Sequence, residues 1–257
     1  MLHVPFSPCV FEKSRPKLDP RVNSQATDGQ AKAQNNEMEF AVRTTFIALG
    51  LATIACAFEG PADAQTSGAD QSAAAFVATL APMNSKVAGS ETSGEARFTI
   101  KGDTLTIEVN VKGAPPNIEH WQHFHGFKDN RNSTCPMVTA DTNHDGIIDL
   151  IETESAAGTT MVPFDDDPAS MQVATGTYPK TSVNGAFQYH KTVSLKALSA
   201  AFAKAFGNQN LDLDQRVVFI HGVFPSTKLP ASVASLGPIP AHVTLPIACG
   251  KIKQIEK

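Results

Sequence analysis

Two short stretches of this chain are dense enough in ligand atoms to do chemistry. The first is His120-Trp121-Gln122-His123-Phe124-His125. On an extended strand, residues two apart face the same side, so His123 and His125 point together while His120, of opposite parity, faces away. His221 ends the β-rich run Arg216-Val217-Val218-Phe219-Ile220 and brings a third imidazole to the rim of a second strand. Three imidazoles converging from two strands suit copper or zinc, both of which bind imidazole nitrogen well. A His-x-His pair also arises by chance, and in that case the rings only pack or hydrogen-bond.

The second stretch is Asp141-Thr142-Asn143-His144-Asp145-Gly146-Ile147-Ile148-Asp149-Leu150-Ile151-Glu152. Side-chain oxygens fall on Asp141, Asn143, Asp145, Asp149 and Glu152. Gly146 supplies the sharp turn, and Ile147 can offer its backbone carbonyl. This spacing wraps the roughly six to eight oxygens that a hard cation needs around one point, with Glu152 biting through both of its own, and the cation it suits is calcium. Ile148 is the apolar residue expected to anchor the loop. The alternative is an acidic, Asn/Gly-rich solvated turn. Pro136 lies too close upstream for a full entering helix. The motif is therefore a lone EF-hand-type loop of the kind found in extracellular modules, bracing a long connection rather than swinging open as a sensor does.

The elements that must position these groups are mostly strands. Phe76, Ala78 and Leu80 alternate with other residues, as do Phe98 and Ile100 and then Leu105, Ile107, Val109 and Val111. Gly102-Asp103 reads as a tight hairpin turn between the second and third runs. A fourth strand is expected over His120 to Phe127 and a fifth over Arg216 to His221. One helix stands out, with Leu195, Leu198, Phe202 and Phe206 at helical spacing, Ser194 as its cap and Gly207 at its end. The pattern predicts an all-β fold, a Greek-key β-sandwich or barrel with long loops and one short inserted helix.

The chain of 257 residues carries a formal net charge of -4, with 42% hydrophobic and 18% charged residues. It has no Lys/Arg cluster interleaved with aromatics, which excludes nucleic acid as an expected partner. The apolar run Phe46 to Phe58 is too short to span a bilayer comfortably. With Arg43 before it and a small-x-small site at Ala62 and Ala64, it reads as a secretory signal over residues 38–64, cleaved after Ala64. Lipidation at Cys56 is the alternative. The expected order is then a polar extension over 1–37, the signal, a linker over 65–74 and one domain over 75–257. The mature chain would be secreted or periplasmic, with no membrane span and metal ions as its expected partners. Cys9 and Cys56 would be lost. Cys135 and Cys249 remain and read as one disulfide in an oxidising compartment, the alternative being two buried free thiols.

His120, His123, His125, Phe127, Asp129-Asn130 and Cys135, followed by Arg216 to His221 and then Leu245-Pro246-Ile247-Ala248-Cys249-Gly250-Lys251-Ile252, together resemble the copper/zinc superoxide dismutase family. The resemblance runs from about Ala75 to Ile252. It implies a superoxide-dismutase-like sandwich, copper held by His123, His125 and His221, a structural role for His120, a Cys135–Cys249 disulfide and dismutation of superoxide. Phe76-x-Ala78-x-Leu80 and Gly102-Asp103-Thr104-Leu105 are also similar to chordin-type CHRD domains, which implies a non-catalytic structural or interaction module. Two departures matter. The loop after Cys135, where the family keeps its bridging histidine and zinc cluster, holds the calcium motif here, with His144 as its one histidine. Pro246 stands where the family places the arginine that draws in the anion, and without that charge steering is weakened. His190 and His242 remain as candidates for a fourth ligand.

Overall fold

The structure, a computed structural model, describes residues 73–256. The expected extension, signal segment and most of the linker, with Cys9 and Cys56, lie outside the described residues. Eight antiparallel strands form one curled sheet, a half-barrel: β1 (Ala74–Pro82), β2 (Ser93–Lys101), β3 (Thr104–Lys112), β4 (Gln122–Gly126), β5 (Thr159–Pro163), β6 (Phe187–Ser194), β7 (Val217–His221) and β8 (Pro246–Glu256). They are laid side by side in the order β5-β4-β7-β8-β1-β2-β3-β6. The all-β fold expected from the alternation is the fold observed.

The first three strands form because their apolar residues recur with period two. Leu105, Ile107, Val109 and Val111 are buried, and the residues between them are exposed or half-buried. Gly102, with φ 58°, takes the left-handed conformation that the tight β2–β3 turn needs. Strand β8 is the hinge of the curl: its first half pairs with β7 and most of its length pairs with β1. From β3 the chain crosses to the far edge to build β4 and β5, then returns to lay β6 beside β3. The concave side is filled by Leu80, Phe98, Ile107, Phe124, Phe164, Phe202, Val218, Ile220 and Ile252.

Strands β4 and β7 are buried at every position. Phe124, Val218 and Ile220 face the main core, whereas Val217 and Phe219 face a second, smaller cluster with Ala157 and Cys249. His123, His125 and His221 share the parity of that second face. Both faces are covered because long connections fold back over the sheet.

Several expectations are corrected. Four helices, not one, occur among the described residues: α1 (Ser85–Ala88), α2 (Leu150–Ala157), α3 (Leu195–Ala205) and α4 (Ala241–Thr244). Helix α3 is the expected one, capped by the Ser194 hydroxyl on the Ala197 N–H at 3.1 Å. Helix α2 follows directly from the Asp141–Glu152 loop. Asp149 and Glu152 form a reciprocal capping box there, each carboxylate accepting the other's backbone N–H at 3.1 Å. The fourth strand is shorter than expected. His120 lies outside the ladder, and its backbone N–H donates to Pro179. Strand β5 carried too little periodicity to be read in advance, and β6, although Phe187, Tyr189 and Val193 alternate in it, was also not expected. No helix among the described residues is long and apolar enough to cross a membrane.

Candidate metal centre

Antiparallel pairing sets His123 opposite Phe219, and the His221 N–H donates to the Trp121 carbonyl at 2.8 Å. This register brings the end of β7 alongside the start of β4. The rings of His123 and His221 are 4.5 Å apart, those of His123 and His125 4.9 Å, and those of His125 and His221 5.9 Å. One nitrogen from each ring lies within 4.8 Å of the others, and all three residues are buried.

Backbone carbonyls fix which nitrogen each ring can offer. Nδ1 of His221 donates to the Thr244 carbonyl at 2.7 Å, so its Nε2 carries the lone pair, and that atom is buried without a hydrogen-bond partner. Nδ1 of His125 faces the Gly158 carbonyl at 3.3 Å, so Nε2 is again the free nitrogen. Nδ1 of His123 lies 3.1 Å from Nε2 of His125. Without a metal, the Nε2 lone pair of His125 is shared by two donors at 3.1 Å, the N–H of His123 and the Thr160 hydroxyl, and an ion would displace both. Carbonyl partners that hold a tautomer and orient a ring are the usual support of metal-ligating histidines.

Burial is the main cause of the shifted titration of these rings. It pushes His125 down to about 3 and His221 to about 4, and holds His123 well below the ordinary histidine range, with the neighbouring imidazoles adding to the effect. All three are therefore neutral at neutral pH, the state that binds metals.

A narrow cavity of about 20 Å³ opens beside His123 and His221, lined also by Trp121, Leu150, Thr160, Val173, Leu236 and Thr244. No Lys or Arg lines it. Thr160 on β5 pairs with His125 across the ladder, and its hydroxyl lies 3.1 Å from Nε2 of His125. The sequence did not single out this residue, since a threonine in a five-residue strand carries no pattern.

The remaining candidates are placed as follows. His120 is fully buried and is not part of the triad; it lies before β4, so its carbonyl contacts rather than strand parity place it. Its ring nitrogens lie 2.9 Å from the carbonyls of Pro115 and His221, so it links two segments behind the site. His144 and His190 are exposed. His242 contacts the Thr227 carbonyl at 2.7 Å, and neither it nor His190 joins the triad. Arg216 is buried and donates to the Leu211 and Asn210 carbonyls and to Asn130. It serves as a loop staple and does not line the cavity.

The Asp141–Glu152 loop is tightly turned. His144 and Gly146 have φ of 61° and 83°, and the Gly146 N–H donates to Asp141 at 2.9 Å. Ile147 N–H donates to Asp145 at 2.8 Å, and Thr142 N–H to Glu152 at 2.8 Å. Among the described residues, the loop's carboxylates do not draw together into a group as close as the three histidines. Ile147, rather than Ile148, is the buried anchor. Ile148 is instead clamped by Asn84, which accepts from its N–H at 2.9 Å and donates to its carbonyl at 2.8 Å. A groove of about 630 Å³ runs along this loop past Asn84, Lys86 and Lys228, away from the histidines.

Cys135 is disulfide-bonded to Cys249 of β8 across a separation of 114 residues. The bond ties the connection after β4 to the strand that pairs with β7. The chain matches no protein-family model and no curated protein.

Proposed function

We propose that this is an exported metal-binding protein in which His123, His125 and His221 hold one copper ion and the Asp141–Glu152 loop holds one calcium ion. The observation that carries the copper reading is the buried, unpartnered Nε2 of His221, aimed into a group of three neutral imidazoles whose ligand atoms lie within 4.8 Å of one another. Leaving a buried polar atom unpaired costs about 1–3 kcal/mol, which a bound ion removes. Three imidazole donors suit either metal, and copper is favoured over zinc because divalent copper binds such a nitrogen site more tightly.

Calcium is supported by the oxygen spacing of the loop, by the positive φ of Gly146 at its turn and by the α2 capping box that closes it at Glu152. Export is supported by the disulfide and by the apolar run Phe46 to Phe58 followed by the small-x-small site at Ala62 and Ala64. The order of ligands and cysteines further supports kinship with copper/zinc superoxide dismutases. Superoxide turnover is weak in this reading, because no cation lines the cavity to draw in an anion.

Elemental analysis and copper titration of the mature protein test the proposal. One copper per chain, lost on changing any of the three histidines to Ala, is the expected result. A parent protein that takes up neither copper nor zinc overturns it and leaves a structural, CHRD-like module as the better account.

A further inference from the structure

The three histidines leave part of a metal's coordination sphere open, and the cavity beside them limits what can fill it. The Thr160 hydroxyl lies 3.1 Å from Nε2 of His125 and lines the same cavity as His123 and His221. In the metal-free protein that hydroxyl donates to the Nε2 lone pair. A metal ion takes the lone pair, and the hydroxyl must then turn to another acceptor or lose its hydrogen bond in a mainly apolar space. The available acceptor is whatever occupies the open position. The cavity, about 20 Å³, has room for about one water-sized molecule. Leu150, Val173 and Leu236 supply its apolar walls.

We propose that Thr160 selects the exogenous ligand of the His123–His125–His221 metal site, holding by donation from Oγ1 a single-atom hydrogen-bond acceptor of the water, hydroxide or fluoride class, while Leu150, Val173 and Leu236 exclude linear triatomic anions. This rests on the reading of the three histidines as a metal site. Thr160 has no counterpart among the metal ligands and acts on the ligand they leave room for.

The test uses copper(II) as the metal and fluoride and azide as probes, with paramagnetic resonance as the readout. Fluoride is expected to bind the copper-loaded parent and Thr160→Ser, with a splitting from the fluorine nucleus. Thr160→Val keeps the shape but lacks the donor, and should bind fluoride about tenfold more weakly or worse. Fluoride binding is compared at full copper loading of each protein, with copper affinity measured alongside, so that a change in metal uptake is not read as a change in fluoride affinity. Azide should bind the parent at least about tenfold more weakly than fluoride, because its length does not fit. Equal fluoride affinity in the parent and Thr160→Val, or azide binding as tight as fluoride, overturns the proposal while leaving the copper site standing. A parent that binds no copper defeats both.

Discussion

Oδ2 of Asp149 accepts the backbone N–H of Ala234 at 2.7 Å. Two residues beyond Ala234 is Leu236, and the residue after Asp149 is Leu150; both line the cavity beside the histidines. A second tie, from the Ser232 hydroxyl to Asp145 at 2.6 Å, fastens the same segment to the same loop. The loop proposed for calcium and the wall of the proposed copper site are thus one connected piece of structure.

Asp141→Ala and Glu152→Ala are expected to abolish the rise in melting temperature produced by calcium. Calcium at about a hundredfold above its Kd stabilises a site that binds it by about 2.7 kcal/mol, and each change removes an oxygen ligand. In the parent, removing calcium with a chelator should also speed copper extraction, because Leu150 and Leu236 are held through the loop. Equal calcium-dependent shifts in the parent and both variants would show that the loop binds none.

His123→Ala, His125→Ala and His221→Ala should each loosen copper about tenfold or more, measured by competition with a chelator of known affinity. His120→Ala should act differently. Its ring nitrogens lie against the Pro115 and His221 carbonyls and its one N–H satisfies one of them, so its loss leaves a buried acceptor bare at a cost of about 1–3 kcal/mol. A lower denaturant midpoint with copper affinity much closer to the parent's than that of the triad variants is the expected signature. A His120→Ala protein of unchanged stability would remove the structural role assigned to it.

Stability of the metal-free protein should fall as the solution is acidified. Unfolded histidine titrates at about 6.5, whereas burial holds His125 at about 3 and His221 at about 4 in the fold. Between those values the unfolded chain binds more protons than the native one, so stability is complete above pH ~6.5 and declines as pH drops towards 4 and below. Denaturant midpoints measured across this window should slope less steeply in His221→Gln. A slope as steep in that variant as in the parent would place the titration elsewhere.

Cys135→Ser paired with Cys249→Ser should lower stability by about 4–5 kcal/mol in the chain-entropy treatment of a loop this long. Cys249 is 3% exposed and packs with Phe219 and Val217, immediately beside the histidine-bearing strands. The double variant should therefore also bind copper less tightly. Denaturation with and without reductant checks the first expectation, and copper competition in the same samples checks the second.

Much of the framework was legible from local pattern. Period-two burial identified β1, β2 and β3, because each has one face on the core and one towards solvent. Parity put His123 and His125 on one face, since a strand sends alternate side chains to opposite faces, whereas His120 lies before β4 and is placed by carbonyl contacts instead. Ser194 and the spacing of Leu198 and Phe202 disclosed α3 in the same way. Strand β5 was not legible: with five residues it is too short to display a period. Helix α2 went unread because the spacing of Asp149 and Glu152 reads equally as a capping box and as a pair of ion ligands, and only the first is a helix signal.

The amino-acid sequence by itself determined which side chains could bind a metal, which of them share a face, and that Cys135 and Cys249 were available to pair. It could not determine their convergence, because the register between β4 and β7 and the return of residues 171–178 and 229–239 over the sheet are long-range pairings without a local signature. The tertiary structure decided that His221 meets His123 and His125, that carbonyls of Gly158 and Thr244 turn the free nitrogens inward, and that Thr160 stands beside them. The physical reason is that a strand fixes the direction of a side chain within one residue, whereas its neighbours are set only when distant segments bury their apolar faces together.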